Sequence, residues 1–173
     1  MAEKVTGLGI SDFRIIEFHE ETRGQAESVV LGIQDYADDT PIVIFNIDTI
    51  RRGFQWPDPT EFGDGFLEVF RAEGDGWSFV EPGEANRVLR TTEKDRISDL
   101  CSNGIYGFKR IEYFRQAYNH YLNRGTTVNG ELYIAPLYNH LIGEGLDIRY
   151  RLLESDVTEH CGVPADYERL RSL

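Results

Sequence analysis

Four short clusters carry residue types suited to phosphate and metal chemistry. Asp48 lies in PIVIFNIDTIRRG, Pro41 to Gly53, whose first half is apolar in the manner of a strand buried on both faces. A carboxylate at the mouth of such a strand has two competing roles. It can cap a turn or helix through free backbone N–H groups. It can also hold a hard cation such as Mg²⁺, which takes one or two carboxylates and fills its remaining positions with phosphate oxygens and water. In TTEKDRIS, Thr91 to Ser98, Glu93 and Lys94 are adjacent. Lys94 there can neutralise a phosphate as a point charge, and Glu93 can accept a sugar hydroxyl; a solvated charge pair in a turn is the plain alternative. TRGQAE, Thr22 to Glu27, sets Gly24 and Gln25 at a helix entry. Gly24 would let backbone N–H groups approach an anion there, although an ordinary Gly-containing turn accounts for the same letters. EHCGVPAD, Glu159 to Asp166, gathers His160, Cys161 and Asp166 around a Gly-x-Pro turn. A lone histidine is more often a satisfied polar residue than a ligand.

These clusters need elements to position them. Phe13 to Phe18 (FRIIEF) reads as a strand and Gly24 to Ala37 as a helix, with Ala26, Val29, Val30 and Ile33 on one face and Thr22 within reach as N-cap. The apolar strand from Pro41 follows. Strand, helix and strand in this order form a βαβ unit with parallel strands and a right-handed crossover. Arg51 to Asp64 is loop-like, broken by Pro57, Pro59 and Gly63. Strands are expected from Phe66, Trp77 and Asn86, with hairpin turns at EGDG and EPGEAN, and another from Asn103. Arg110 to Leu122 and Glu131 to Ile142 read as helices and DIRYRLL as a strand, and a tail helix opens at Pro164. The expected class is α/β: a Rossmann-like mixed, mostly parallel sheet with flanking helices, in which ligands sit outside the carboxyl ends of the strands.

Composition narrows the function classes. The chain of 173 residues reads as one domain, with 40% hydrophobic residues to build a core. Asp and Glu number 30 against 18 Lys and Arg, a formal charge of −12, which excludes a phosphate-lattice partner such as nucleic acid. A small phosphorylated ligand needs only a few local cations and backbone amides. No apolar run approaches the roughly 20 residues of a membrane span. Cys101 and Cys161 have no metal-ligand spacing, and MAEKVTGLG has no secretory h-region, so free thiols in the cytoplasm are expected.

Taken in order, GQAE, IFNIDT, WSFVE, TEK…IS, SNGIYGF, ELYIAPLYNHLI and CGVPADYERL resemble the sugar nucleotidylyltransferases, the nucleotide-sugar pyrophosphorylases. The members linked with capsular or surface polysaccharide synthesis are the most similar. The resemblance implies nucleotidyl transfer from a nucleoside triphosphate to a sugar 1-phosphate or similar acceptor, with release of pyrophosphate. By it, Asp48 binds Mg²⁺ and is catalytic with Lys94, which holds the acceptor phosphate. Gly24 and Gln25 lie against the nucleotide. Ser78, Glu93, Asn103, Gly104 and Glu131 line the acceptor pocket.

Two departures from the family pattern shape the expectation. His160 stands where many relatives have a second metal-binding Asp, and it is a poorer partner for Mg²⁺ than oxygen; Asp166 is the alternative, at the wrong offset. The family's opening strand and Gly-rich triphosphate loop have no counterpart, since TGLGIS precedes the first expected strand. The resemblance is therefore to an N-terminally truncated nucleotidyltransferase domain over residues 1–173, inactive alone and expected to form a homo-oligomer or take a sheet-completing partner at its open edge. A non-catalytic sugar-phosphate or nucleotide-binding module is the alternative. A glycosyltransferase ranks last, because NIDT supplies one Asp where a carboxylate pair is expected.

Overall fold

The computed structural model describes residues 2–56, 58, 63–125 and 127–172. Its centre is β6 (Leu100–Phe108), buried along its whole length. That burial follows from LCSNGIYGF, which offers apolar or small residues to both faces. One edge of β6 pairs with β3 (Gly65–Arg71), which pairs in turn with β7 (Ile148–Leu152). The other edge is shared. β1 (Ile42–Phe45) takes Ile105 to Phe108, while β4 (Ser78–Pro82) pairs at Cys101 and carries β5 (Val88–Glu93) outside it. β1, β3, β4 and β7 run one way and β5 and β6 the other. A second, two-stranded sheet joins β2 (Thr49–Arg51) to β8 (Thr158–His160).

Helices cover one face. α2 (Gln25–Gly32), α3 (Ile111–Arg124) and α4 (Tyr138–Gly143), the last entered through a 3₁₀ turn at Ala135–Leu137, pack with Leu67, Val69, Tyr106 and Phe108 into one core. α3 buries Ile111, Phe114, Ala117 and Tyr118, a single helical stripe, and stops at Gly125 in the left-handed region. Phe108 stacks on Tyr138 at 4.6 Å, and the Tyr138 hydroxyl donates to the carbonyls of Phe66 and Gly107. On the opposite face, Phe70, Phe79 and Cys101 form a smaller cluster beneath Trp77. α1 (Ala2–Gly7) and α5 (Pro164–Arg171) bury no residue. No helix among the described residues is long and apolar enough to cross a membrane.

The mixed α/β architecture, the β4–β5 hairpin, α3, β7 and the tail helix at Pro164 agree with the sequence reading, and both cysteines are free. Other elements differ for physical reasons. Although most strands share a direction, the ladders among described residues are antiparallel apart from β3–β7, because counter-running β6 lies between β3 and β4. The same insertion removes the hairpin expected at EGDG. Phe13 to Phe18 is not a strand; no described residue takes its ladder bonds, so the βαβ unit is absent among the described residues. Thr22 does not cap α2: Gly24 holds that position, and the Glu27 carboxylate takes the Arg23 amide at 2.5 Å. The helix expected from Glu131 begins later, since the Leu132 backbone is engaged by Arg23 and Ala26 and Pro136 disfavours helix before it. β2 and β8 were not expected from sequence at all. The middle of the loop from Arg51 to Asp64, including Pro57 and Pro59, lies outside the described residues.

Candidate functional site

Where β1 and β4 part company along the edge of β6, a cavity of about 270 Å³ opens. Its position is that of a topological switch point, where diverging neighbours leave backbone and side chains unpaired for a ligand. The floor is the middle of β6. Gly104 has φ +87°, and a Cβ there would sit 2.5 Å from the Asn46 amide, so only glycine lets the two chains close. Asn46 N–H donates to the Gly104 carbonyl at 2.9 Å, extending the β1 ladder by one rung. The Asn46 side chain accepts from Gln25 Nε2 at 2.6 Å. Gln25 opens α2, so this bond brings the helix start to the cavity wall.

The second wall is the end of the β4–β5 hairpin. Ser78 lies opposite Glu93, and its hydroxyl donates to the carboxylate at 2.5 Å. Burial raises the Glu93 carboxyl above its ordinary range, opposed by that hydrogen bond and by the Lys94 charge. Lys94 follows directly with φ +55°. A left-handed lysine costs about 1–2 kcal/mol, and such outliers concentrate at functional sites. Its amide is fixed to the Trp77 carbonyl at 2.9 Å, and its ammonium donates to the Tyr133 hydroxyl at 2.7 Å while lying 4.8 Å from that ring's centre. The Tyr133 hydrogen bond raises the Lys94 pKa, against desolvation.

The third wall is the β2–β8 pair. Asp48 and His160 both line the cavity, and Cys161 N–H donates to the Asp48 carbonyl at 2.9 Å. A Cβ on Gly162 would lie 2.7 Å from Asp48 Oδ2, so the carboxylate rests against bare backbone. The His160 ring packs 5.0 Å from Phe70 and 4.9 Å from Trp77, and its Nε2 is buried without a hydrogen-bond partner. Burial lowers the His160 pKa, while Asp48 and Asp166 pull it upward.

Of the residues singled out in the sequence, Gln25, Asp48, Ser78, Glu93, Lys94, Asn103, Gly104 and His160 meet at this cavity. Glu131 stands at its rim, where its charge reaches Lys94 and Glu93 and its side chain bonds Tyr133. Asp166 is in the first turn of α5, behind His160. Gly24 has another use: a Cβ would meet the Leu132 backbone nitrogen at 2.8 Å, so close packing accounts for it. Asn103 is 1% exposed, and its amide is committed to Glu68 and to the Ile105 N–H. Sequence reasoning missed Asn46, Trp77, Tyr106 and Tyr133, although each lies in or beside a block that it quoted.

No protein-family model matches the chain, and no curated protein does. Solved structures do. A nucleoside-diphosphate-sugar pyrophosphorylase from Vibrio cholerae superposes with a TM-score of 0.91 at 46% identity, over 99% of this chain and 74% of that one. This chain belongs to the nucleoside-diphosphate-sugar pyrophosphorylase family. The pyrophosphorylase fold recurs at low identity. A Bacillus anthracis protein assigned as a glucose-1-phosphate thymidylyltransferase matches with a TM-score of 0.69 and 15% identity over 99% of this chain and 71% of that one. An inositol-1-phosphate CTP transferase from T. maritima gives 0.69 and 14% over 95% and 66%. The cavity unites the Lys94 ammonium, the Glu93 and Asp48 carboxylates on separate walls and the Asn46 side chain at the floor.

Proposed function

We propose that this cavity is the acceptor and metal site of a sugar-phosphate nucleotidyltransferase serving surface-polysaccharide precursor synthesis. A phosphate oxygen of the sugar 1-phosphate attacks the α-phosphorus of a nucleoside triphosphate; the bond to the bridging α–β oxygen breaks, and pyrophosphate leaves. Little covalent work falls to the protein, so positioning and charge neutralisation supply the catalysis. Lys94 takes the acceptor phosphate. Glu93 and Glu131 take sugar hydroxyls beside Ser78, and Gln25 with Asn46 faces the nucleotide. The single observation that carries this reading is the convergence of Gln25, Asp48, Ser78 and the Glu93–Lys94 pair, from separate segments of the sequence, on one cavity at the strand split.

No group of three or more His, Cys, Asp or Glu among the described residues could hold a metal alone. That suits a cation shared with substrate phosphates, for which one carboxylate suffices. Asp48 would hold it, and the unpartnered Nε2 of His160 is the second donor on that wall. Bound there, Mg²⁺ supplies charge neutralisation at the reacting phosphates.

Pyrophosphate release from a nucleoside triphosphate, Mg²⁺ and a sugar 1-phosphate tests the transfer, and calorimetry with each ligand alone tests the sites. Asp48→Asn should weaken Mg²⁺-dependent nucleotide binding and spare sugar-phosphate binding. Unchanged nucleotide binding would return Asp48 to the role of a turn residue. A second reading, an acceptor-binding module without transfer, is favoured by the preformed bonds of the Ser78–Glu93–Lys94 wall. Sugar-phosphate binding without nucleotide binding would select it.

A further inference from the structure

Glu68 is a charged side chain that the proposed chemistry does not use. It lies on the β3 face away from the helices and is 0% exposed. Burying a carboxylate is costly unless its oxygens are satisfied, and here they are. Oε2 accepts from Arg51 Nε at 2.8 Å and Asn103 Nδ2 at 3.1 Å; Oε1 lies 3.4 Å from Arg51 Nη2 and 3.9 Å from Arg151 Nη1. The three partners come from three elements: β2, β6 and β7.

Two of those elements build the cavity. Leu67 pairs with Tyr106 and Val69 with Ser102, so Asn103, Gly104 and Ile105 bulge opposite Glu68. Asn103 bonds Glu68 through one end of its amide and closes the bulge through the other, accepting from Ile105 N–H at 3.1 Å. That bulge sets Gly104 against Asn46 on the cavity floor. Arg51 belongs to β2, three residues after Asp48. Thr49 in the same strand donates to the Asn103 carbonyl at 2.6 Å and lies opposite His160.

We propose that Glu68 is a positioning residue: its carboxylate locks the β2–β8 pair, and with it Asp48 and His160, in register against the β6 bulge. It touches no ligand. A buried ion cluster adds little net stability over an apolar replacement of similar volume, whereas a fixed register is something an apolar replacement does not specify. Residues of this kind behind a ligating shell typically carry about 10–100-fold in affinity.

The ligand arm of the test rests on the function proposed above; the exchange arm does not. Two variants are compared with the wild-type chain: Glu68→Gln, and an apolar set joining Glu68→Met, Arg51→Met and Arg151→Met. Amide hydrogen exchange is read at Arg52, Ile105 and Cys161, whose N–H groups bond Val157, Asn103 and Asp48, with the α3 amides as internal reference. Mg²⁺ with a nucleoside triphosphate is titrated in parallel. Exchange at the three amides should quicken by about tenfold or more while α3 is unchanged. Affinity should fall by about 10–100-fold in both variants, even where the apolar set keeps the wild-type unfolding midpoint. Unchanged exchange at those amides overturns the proposal, and so does wild-type affinity in a variant whose exchange has quickened. If the wild-type chain binds no nucleotide, the proposed function fails, and the exchange result alone decides the role of Glu68.

Discussion

The two sides of the cavity are built differently. On the β4–β5 side Phe79 and Val80 are fully buried, and the functional side chains are tied to one another: Ser78 to Glu93, Lys94 to Tyr133. On the β1–β2 side the outer surface is open. Phe45 is 45% exposed and Ile47 97%, and Phe45 packs edge-on against Phe54 at 4.7 Å, which in turn packs against exposed Trp56. One wall therefore takes its precision from a packed core. The other takes it from backbone bonds around Asp48 and from the buried Glu68 cluster. Side chains bonded to one another over a packed core need no further support, whereas a carboxylate on an open edge needs a polar anchor behind it.

The largest test of that contrast is a pair of truncations. Phe79→Ala should cost about 3–5 kcal/mol in urea unfolding, while Ile47→Ser on the open side should stay within about 0.5 kcal/mol. Similar losses at both positions would erase the distinction. Next, Lys94→Gly should be more stable than Lys94→Ala by about 1 kcal/mol, because glycine accepts the left-handed backbone. Both should weaken sugar-phosphate binding alike, which separates the strain at Lys94 from its charge. The third test uses pH. Burial raises the folded-state pKa of Glu93 above its ordinary value near 4.5, so the folded chain holds that proton more tightly than the unfolded chain. Stability from this group is complete below the unfolded value and is lost as pH rises through the folded one. Glu93→Gln should therefore gain in Tm over wild type near neutral pH and lose that advantage at about pH 4. A gap that is constant with pH would show that Glu93 is not desolvated. The smallest effect belongs to the exposed ion pair of Arg14 with Asp35, where Asp35→Ala should cost less than about 1 kcal/mol and the loss should shrink with added salt.

The legible part of the fold was the part with strong periodicity. β3, β4, β5, β7 and α3 have clear apolar patterns or flanking turn residues and lie close to their expected positions. FRIIEF shows the limit, because an apolar run becomes a strand only when another edge takes its hydrogen bonds. β2 and β8 show the converse. TIR and TEH are three residues each and carry no period, yet they pair across more than a hundred residues to hold Asp48 and His160.

By itself, the sequence determined which residue types were available and some local roles: Pro164 opening a helix, Asp48 following an apolar strand, and Glu93 and Lys94 side by side where another strand ends. The ordered blocks were enough to indicate the family. The tertiary structure decided which of these residues share a cavity, because that depends on β6 running against β1 and β4 and separating their ends. It also decided that Asn103 turns to Glu68, that Gly24 serves the Leu132 backbone, and that Tyr133 holds Lys94. Local propensity acts over a few residues, whereas cross-strand pairing and the burial of a charge depend on neighbours brought together by the fold.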